Sequence, residues 1–241
     1  MLEFLQTPAG RAVLGVFIAA VIIVITELNY RIFAKAVLDF LFAFIAVIVL
    51  SPALIALACI ARVKAGKCLE SKAYMGGKGK IIYLHTFAGI KGWAKYLARI
   101  FDVLGGRLSF VGVKPLEVID GALIDDENMD RFIARPGIVC HMISHGAEDA
   151  TYEDMFDSDA RYAKKREFFT DVFMVLKGMV YAIRGEGKSY LGEAENNGYA
   201  QTLLSRGAIT EGDFKRAEKY AEETLENMDR EDPLKSKYNN L

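Results

Sequence analysis

Hydrophobic positions are concentrated near the start of the chain. Residues 13–25 are an unbroken apolar run, and residues 40–61 are a longer run that only Ser51 interrupts. A straight membrane span needs about 20 residues, with a lower limit near 17. The first run reaches that limit only with its flanks, so it suits a retained anchor, a signal peptide or a core helix. We favour a retained anchor because no small-x-small cleavage site follows it.

The second run contains a proline near its middle. Pro52 lacks an amide hydrogen and clashes with the preceding turn, so a helix is expected to kink there, next to Ser51. Cations flank the run on both sides, whereas a spanning helix normally has them on one side. They are Arg31, Lys35, Arg62, Lys64 and Lys67. We therefore predict a re-entrant helix over residues 36–61 that returns to the face it entered, with an ordinary kinked span as the alternative. Lys35 and Asp39, one turn apart, are expected to pair at the interface.

Weaker patterns cover the rest of the chain. Strands are predicted at 81–87, 108–113 and 138–143, with a hairpin turn at 76–79, and helices at 94–104, 152–166 and 168–184. The apolar stripe of the last helix belongs to the core or rests on a membrane. Together these elements predict an α+β fold: a membrane-associated, re-entrant helix with a small cytoplasmic α/β body.

The C-terminal residues predict a helical hairpin. A short helix over 198–206 precedes a second helix that begins at a Thr210–Asp213 capping box. The second helix carries an apolar stripe that either packs on the body or binds a partner. The stripe consists of Phe214, Ala217, Tyr220, Ala221, Leu225 and Met228.

Composition and charge exclude some classes. The chain has 241 residues, 52% of them hydrophobic, which excludes a disordered protein. Its net charge of −1 argues against nucleic acid as a partner. Residues 62–95 carry eight cations and one anion, and residues 186–232 carry twelve anions and six cations, so a basic collar precedes an acidic tail. The collar is suited to anionic lipid headgroups.

Cysteine and histidine give no strong site. Cys59, Cys68 and Cys140 form no CxxC pair, and a disulfide framework is not expected. His141 and His145 are four residues apart, but this spacing binds metal well on a helix, whereas a strand and loop are predicted there. We therefore predict no metal site.

Four motifs follow one another along the chain, with the Ser51-Pro52 break after the first. They are Lys35-Ala36-Val37-Leu38-Asp39, the stretch from Val103 to Pro115, Arg135-Pro136-Gly137-Ile138, and the set Asp159, Tyr162 and Asp171. Taken together, they resemble the bacterial initiating sugar transferases, the monotopic phosphoglycosyl transferases. The first is similar to that family's Lys-Arg-x-x-Asp opening, and Ser51-Pro52 to the break in its re-entrant helix. The second resembles Val-Leu-Lys-Gly-Asp-Met-Ser-x-Val-Gly-Pro-Arg-Pro, the third matches Arg-Pro-Gly-Ile, and the fourth falls where the family has Asp-x-x-Tyr and a later Asp.

The resemblance implies a chemistry and also a departure from it. Family members transfer a sugar phosphate from a nucleotide sugar to a polyprenyl phosphate, using an Asp-Glu dyad in which Asp attacks phosphorus and Glu helps to hold Mg²⁺. Here Lys95-Tyr96 occupy the dyad positions, Arg107 replaces a family Asp, and Ala147 stands where an Arg is expected. Asp102 is a candidate substitute nucleophile, although it lies about 10 Å further along the helix. The resemblance also implies phosphate or substrate binding by Lys114 and Arg135.

These expectations define a specific hypothesis. Residues 1–30 form the anchor, 31–190 a phosphoglycosyl-transferase-like domain and 191–241 an acidic helical tail. The leading hypothesis is a catalytically degenerate partner or regulator in bacterial surface-polysaccharide assembly; the alternative is an active, divergent transferase. No cofactor is expected, or Mg²⁺ if the chain is active. Expected partners are membrane lipid, with polyprenyl phosphate as a candidate, and a protein of glycan assembly. The expected location is the bacterial inner membrane, with the soluble part cytoplasmic.

Overall fold

A computed structural model describes residues 18, 30, 34–140, 151–184 and 198–230. The first apolar run therefore lies outside the described residues except for Ile18, and so do His141, His145 and Ala147. The predicted division into three domains is not tested and stays a prediction.

The described chain is a mixture of helices and short strands. In chain order they are α1 (Lys35–Ala65), β1 (Leu69–Met75), β2 (Ile81–Phe87), a 3-10 helix (Trp93–Ala98), α2 (Arg99–Leu104), β3 (Ser109–Gly112), β4 (Leu116–Glu117), α3 (Val118–Gly121), a second 3-10 helix (Asp126–Ile133), β5 (Gly137–Cys140), α4 (Tyr152–Lys164), α5 (Phe168–Arg184), α6 (Tyr199–Ser205) and α7 (Glu211–Arg230). The prediction of mixed helix and sheet is confirmed.

Helix α1 is the apolar element predicted from the second run. Among the described residues it is the one helix long and apolar enough to cross a membrane by length and composition, and 11% of its most apolar window is buried. It continues through Pro52, where the Ser51 hydroxyl donates to the carbonyl of Ile48 at 2.8 Å. The predicted re-entrant kink is not shown and stays a prediction.

One face of α1 packs against the rest of the described fold along the helix. Near its start, Ala43 joins a core cluster with Leu84 and Leu108. Near its end, Leu54 and Ala61 pack against a second cluster that contains Phe87, Ala88 and Ala98. Both ends of the helix therefore contact the same body.

A three-stranded antiparallel sheet lies beside α1. Its strand order is β2-β1-β4, and β1 pairs with β2 from Leu69↔Phe87 to Met75↔Ile81. The predicted hairpin turn is confirmed between these strands, where the Gly76 amide donates to the carbonyl of Lys80. The sequence patterns did not reveal β1.

The motifs at 103–115 and 135–138 meet in a parallel strand pair. Strands β3 and β5 align Ser109 with Gly137 and Val111 with Val139. A Cβ on Gly112 would overlap the carbonyl of Arg135, and one on Gly137 would overlap the amide of Gly112. Only glycine permits this backbone approach, so both glycines are required by the packing of these strands.

The C-terminal hairpin packs on the body. In α6, Tyr199 is 6% exposed and its ring centroid lies 5.1 Å from that of Tyr152 and 4.9 Å from that of Phe156. The α6 N-terminus is capped by Asp120, which accepts a hydrogen bond from the Ala200 amide at 3.0 Å. The hairpin is therefore an integral part of the described fold.

Helix α7 begins as predicted. Thr210 Oγ1 accepts from the Asp213 amide at 3.2 Å, and Asp213 in turn accepts from the Thr210 amide at 3.0 Å, which confirms the capping box. Within the apolar stripe, Ala217 and Ala221 are buried, whereas Tyr220 is 59% exposed. Partner binding by the stripe stays a prediction.

Candidate functional site

Asp171 in α5 contacts two other motif residues, Lys35 of α1 and Tyr162 of α4. Its carboxylate accepts hydrogen bonds from the hydroxyl of Tyr30, the ammonium of Lys35 and, at 2.7 Å, the hydroxyl of Tyr162. The Tyr162 oxygen also lies 3.1 Å from the carbonyl of Val111. Burial raises the pKa of the Tyr162 phenol, with the Asp171 charge adding to the effect, so the hydroxyl stays protonated as a donor.

Asp39 makes the corresponding link to β3. It accepts from the Ser109 hydroxyl and, at 3.2 Å, from the Phe110 amide. In the described part of the chain no ion pair joins Lys35 to Asp39, so the predicted pairing within α1 is replaced by separate partners on the body. The motif residues of α1 therefore fasten the apolar helix to the body.

The positions of the expected catalytic dyad carry a cation–aromatic cluster. Lys95 Nζ and the Arg99 guanidinium each lie 4.6 Å from the centroid of the Tyr96 ring, and Arg99 lies 5.7 Å from that of Tyr74. These contacts are favourable cation–π interactions. The cluster supplies positive charge where the family resemblance implies two carboxylates.

A groove of about 680 Å³ adjoins this cluster. It lies over β1 and β2, and Lys95 and Tyr96 contribute to its wall. The two carboxylates that line it are already paired, Glu70 with Lys67 at 3.4 Å and Glu117 with Lys72. The groove is thus polar, and its acidic groups face cations of this chain.

Asp102 has a role that its position in the sequence did not reveal. The carboxylate is fully buried and accepts from the His85 amide at 2.8 Å, from His85 Nδ1 at 2.7 Å, and from Arg107 Nε at 3.1 Å. It therefore covers the free edge of β2 and fixes α2 against it. A carboxylate engaged in this way has no solvent-facing oxygen with which to attack a substrate.

Lys114, the first predicted phosphate ligand, is largely enclosed. Its Nζ lies 5.6 Å from the Tyr152 ring centroid, and desolvation lowers the pKa of its ammonium. Below it, Arg131 donates to the Lys114 carbonyl at 2.8 Å and forms a fully buried ion pair with Asp159. Burial raises the pKa of Asp159 to about 6, with Arg131 opposing the rise.

Arg135, the second predicted phosphate ligand, is exposed. Its Nη1 would lie 3.9 Å from a Cβ placed on Gly106, at the turn that follows α2. The structure therefore places Lys114 beside Tyr152 of α4 and Arg135 beside the turn after α2.

The sequence is similar to known sugar transferases over part of its length. The sequence model of the bacterial sugar transferase family matches residues 95–185. A Haemophilus influenzae protein, named an uncharacterized sugar transferase, is 30% identical over 92 residues, which are 38% of this chain and 19% of that protein. The chain thus spans about a fifth of that relative.

The matched region contains the motifs at 103–115 and 135–138, whose strands β3 and β5 pair. It also contains Asp159, Tyr162 and Asp171, whose contacts are described above. The motif residues of α1 lie outside it. The predicted resemblance is confirmed over residues 95–185, which match the sequence model of the bacterial sugar transferase family.

Proposed function

We propose that this chain is a catalytically degenerate phosphoglycosyl transferase that acts as a membrane-bound partner or regulator in surface-glycan assembly. The observation that carries the proposal is the cluster of Lys95, Tyr96 and Arg99. Transfer through a covalent phosphosugar needs a nucleophile, and these side chains supply no carboxylate at the positions of the family's dyad.

The groove offers a poor environment for Mg²⁺. The ion prefers oxygen ligands and binds through carboxylates, whereas Lys95 presents a repelling charge and Glu70 and Glu117 are paired with lysines. The residues present do not fit a magnesium site, and we assign no step to the metal. The alternative function, an active and divergent transferase, would require another nucleophile.

Membrane association is supported by two exposed apolar faces. Along α1, the side chains of Phe42, Phe44, Ile48 and Val49 are 52–69% exposed. Helix α5 presents a second face, while its opposite side carries the buried Asp171 and Met174. That second face consists of Phe169, Val172, Phe173, Leu176, Met179 and Val180, which are 40–66% exposed. Apolar surfaces of this extent suit contact with lipid.

The contacts of α1 favour the re-entrant geometry over a span. Lys35 near its start pairs with α5, and Ala61 near its end packs on Phe87 of β2. A helix that crosses the bilayer would carry one of these ends away from the body. We therefore propose that both ends lie on the cytoplasmic side of the bacterial inner membrane.

A transfer assay tests the degenerate assignment. Full-length protein in nanodiscs is given radiolabelled nucleotide sugars, Mg²⁺ and polyprenyl phosphate, and we expect no labelled lipid. The double variant Lys95→Asp with Tyr96→Glu is expected to stay inactive, because Arg107 and Ala147 also depart from the family pattern. The effects of residues that act as a unit are not additive. Robust transfer by the unaltered chain would overturn the proposal, and loss of that transfer in Asp102→Asn would identify the substitute nucleophile.

The partner role has its own test. A tagged full-length chain is captured from its native membrane, and we expect glycan-assembly proteins to be enriched. An unchanged set of captured proteins relative to an unrelated monotopic membrane protein would count against a partner or regulator role.

A further inference from the structure

Outside the dyad positions, His85 is held in an unusually defined orientation. The Asp102 carboxylate accepts hydrogen bonds from the main-chain amide of His85, at 2.8 Å, and from its ring nitrogen Nδ1, at 2.7 Å. A carboxylate accepts hydrogen bonds, so Nδ1 carries the proton and Nε2 is directed away from Asp102. The His85 side chain is 28% exposed, whereas the carboxylate that orients it is fully buried.

Arg107 is attached to the same carboxylate. Its Nε and Nη2 lie 3.1 and 3.0 Å from Asp102 Oδ1, and its side chain is 39% exposed. Asp102 therefore fixes one edge of the guanidinium, and Nη1 is not engaged by it. One buried carboxylate thus orients two partly exposed groups: the Arg107 guanidinium, which donates hydrogen bonds, and the His85 ring, whose Nε2 donates to an anion when the ring is doubly protonated.

Arg135 brings a second guanidinium to this region. A Cβ on Gly105 would lie 3.4 Å from the Arg107 guanidinium, and one on Gly106 would lie 3.9 Å from Arg135 Nη1, so the two arginines flank adjacent glycines. Gly106 has φ +68°, a conformation that favours glycine. Within the described part of the chain, Arg135 has no ion pair or side-chain hydrogen bond.

We propose that His85, Arg107 and Arg135 form a binding site for a phosphate monoester or diphosphate at the Gly105–Gly106 turn. Guanidinium groups match phosphate oxygens in planar, paired hydrogen bonds. Asp102 compensates one of the cationic charges but is buried, so it does not present a carboxylate to the ligand. Gly105 and Gly106 have no side chains, so the turn places no group of its own between the two arginines.

The identity of the biological ligand rests on the proposed function. Binding of a simple phosphate probe to the site does not depend on that function. Glucose 1-phosphate and inorganic pyrophosphate are titrated into full-length protein in phosphatidylcholine nanodiscs, by calorimetry and by the imidazole NMR signals. A parallel arm uses vesicles with and without phosphatidic acid, whose phosphate monoester is presented by the membrane. Binding in the first arm identifies a soluble ligand, and binding in the second arm alone identifies a lipid headgroup.

Matched variants decide whether these residues are responsible. Arg107→Gln and Arg135→Gln are each expected to weaken binding at least tenfold, and His85→Gln is expected to weaken it less. Lys72→Gln, a change to a cation already paired with Glu117, should alter affinity less than twofold. Arg107 is bonded to the buried Asp102, so Arg107→Gln could weaken binding by disturbing the fold. Arg135 has no such contact among the described residues, so Arg135→Gln tests the binding site alone.

Affinity that is unchanged in Arg135→Gln, or reduced equally in Lys72→Gln, would overturn the site, and so would a failure of every probe to bind. None of these results changes the expected outcome of the transfer assay, so failure of the site and failure of the proposed function are distinguishable.

Discussion

Lys35 at the start of α1 and Asp171 in α5 form a buried ion pair across 136 residues of sequence. Their side chains are 11% and 7% exposed, and Asp171 also accepts hydrogen bonds from the hydroxyls of Tyr30 and Tyr162. The pair joins the apolar helix to the helix that carries the second apolar face. The Asp171 carboxylate therefore links the two helices that carry these faces.

Asp171→Ala is expected to destabilise the protein strongly. It leaves the Lys35 ammonium buried without its partner, which costs about 3–5 kcal/mol in comparable pairs. Chemical unfolding in detergent measures the free energy change. The double variant Lys35→Met with Asp171→Leu should recover much of the loss, and Glu223→Gln, in the exposed pair with Lys219, should change it by less than about 1 kcal/mol. Equal effects of Asp171→Ala and Glu223→Gln would contradict the assigned role.

The ends of α1 are expected to be accessible from the same side of the membrane. In a background that lacks Cys59, Cys68 and Cys140, single cysteines at Phe33 and Lys67 are labelled with an impermeant maleimide in intact cells and in inverted vesicles. Both should react only in inverted vesicles. Labelling of the two positions from opposite faces would establish a span, and Pro52→Leu should shift the helix toward that result.

The apolar face of α5 is expected to contact lipid. Leu176 and Tyr220 have similar exposures, 57% and 59%, but lie on α5 and α7 respectively. In the same cysteine-free background, a fluorophore at Leu176→Cys should be quenched by spin-labelled lipid by more than half. One at Tyr220→Cys should be quenched only weakly, and equal quenching at both positions would argue against contact through α5.

The Asp120 cap predicts how docking of the hairpin responds to substitution and pH. Asp120→Ala removes the acceptor for the Ala200 amide and should destabilise α6 by about 1–2 kcal/mol. Asp120→Asn keeps an acceptor without a buried charge and should be neutral or stabilising at pH 7. Hydrogen exchange of residues 199–205 measures both effects.

The pH dependence follows from the direction of the shift. Desolvation raises the pKa of Asp120 above its ordinary value of 3.8, although the Ala200 amide opposes the rise. The folded state therefore takes up a proton before the unfolded state does, so the native protein should gain stability relative to Asp120→Asn as pH falls from 7 through the raised pKa toward 3.8. A difference that stays constant between pH 7 and 4 would show that Asp120 does not titrate in this way.

Elements with a local signal were predictable from the sequence. The predicted helix over 168–184 coincides with α5 because its apolar residues recur at helical spacing. The Thr210–Asp213 capping box marked the beginning of α7, since both of its hydrogen bonds join residues three apart. Strand β1 was missed because Glu70 and Lys72 give it a polar, exposed surface, and its stability comes from pairing with β2 and β4.

The candidate sites depend on contacts that no local pattern records. The sequence identified Asp102 as a carboxylate on a helix, but its partner His85 lies 17 residues away on another element. Lys35 and Asp39 were expected to pair because they are one turn apart, yet each finds a closer partner on the body. Such choices are set by how α1, α2 and α5 meet in space, which the spacing of residues along the chain does not determine.

The facing glycines of β3 and β5 separate what the fold requires from what a reaction would require. Gly112 and Gly137 are demanded by the proximity of two backbones, irrespective of any reaction. A chain that forms this strand pair needs both glycines whether or not it catalyses a reaction. Their presence therefore carries no information about catalysis, which depends on side chains such as those at positions 95 and 96.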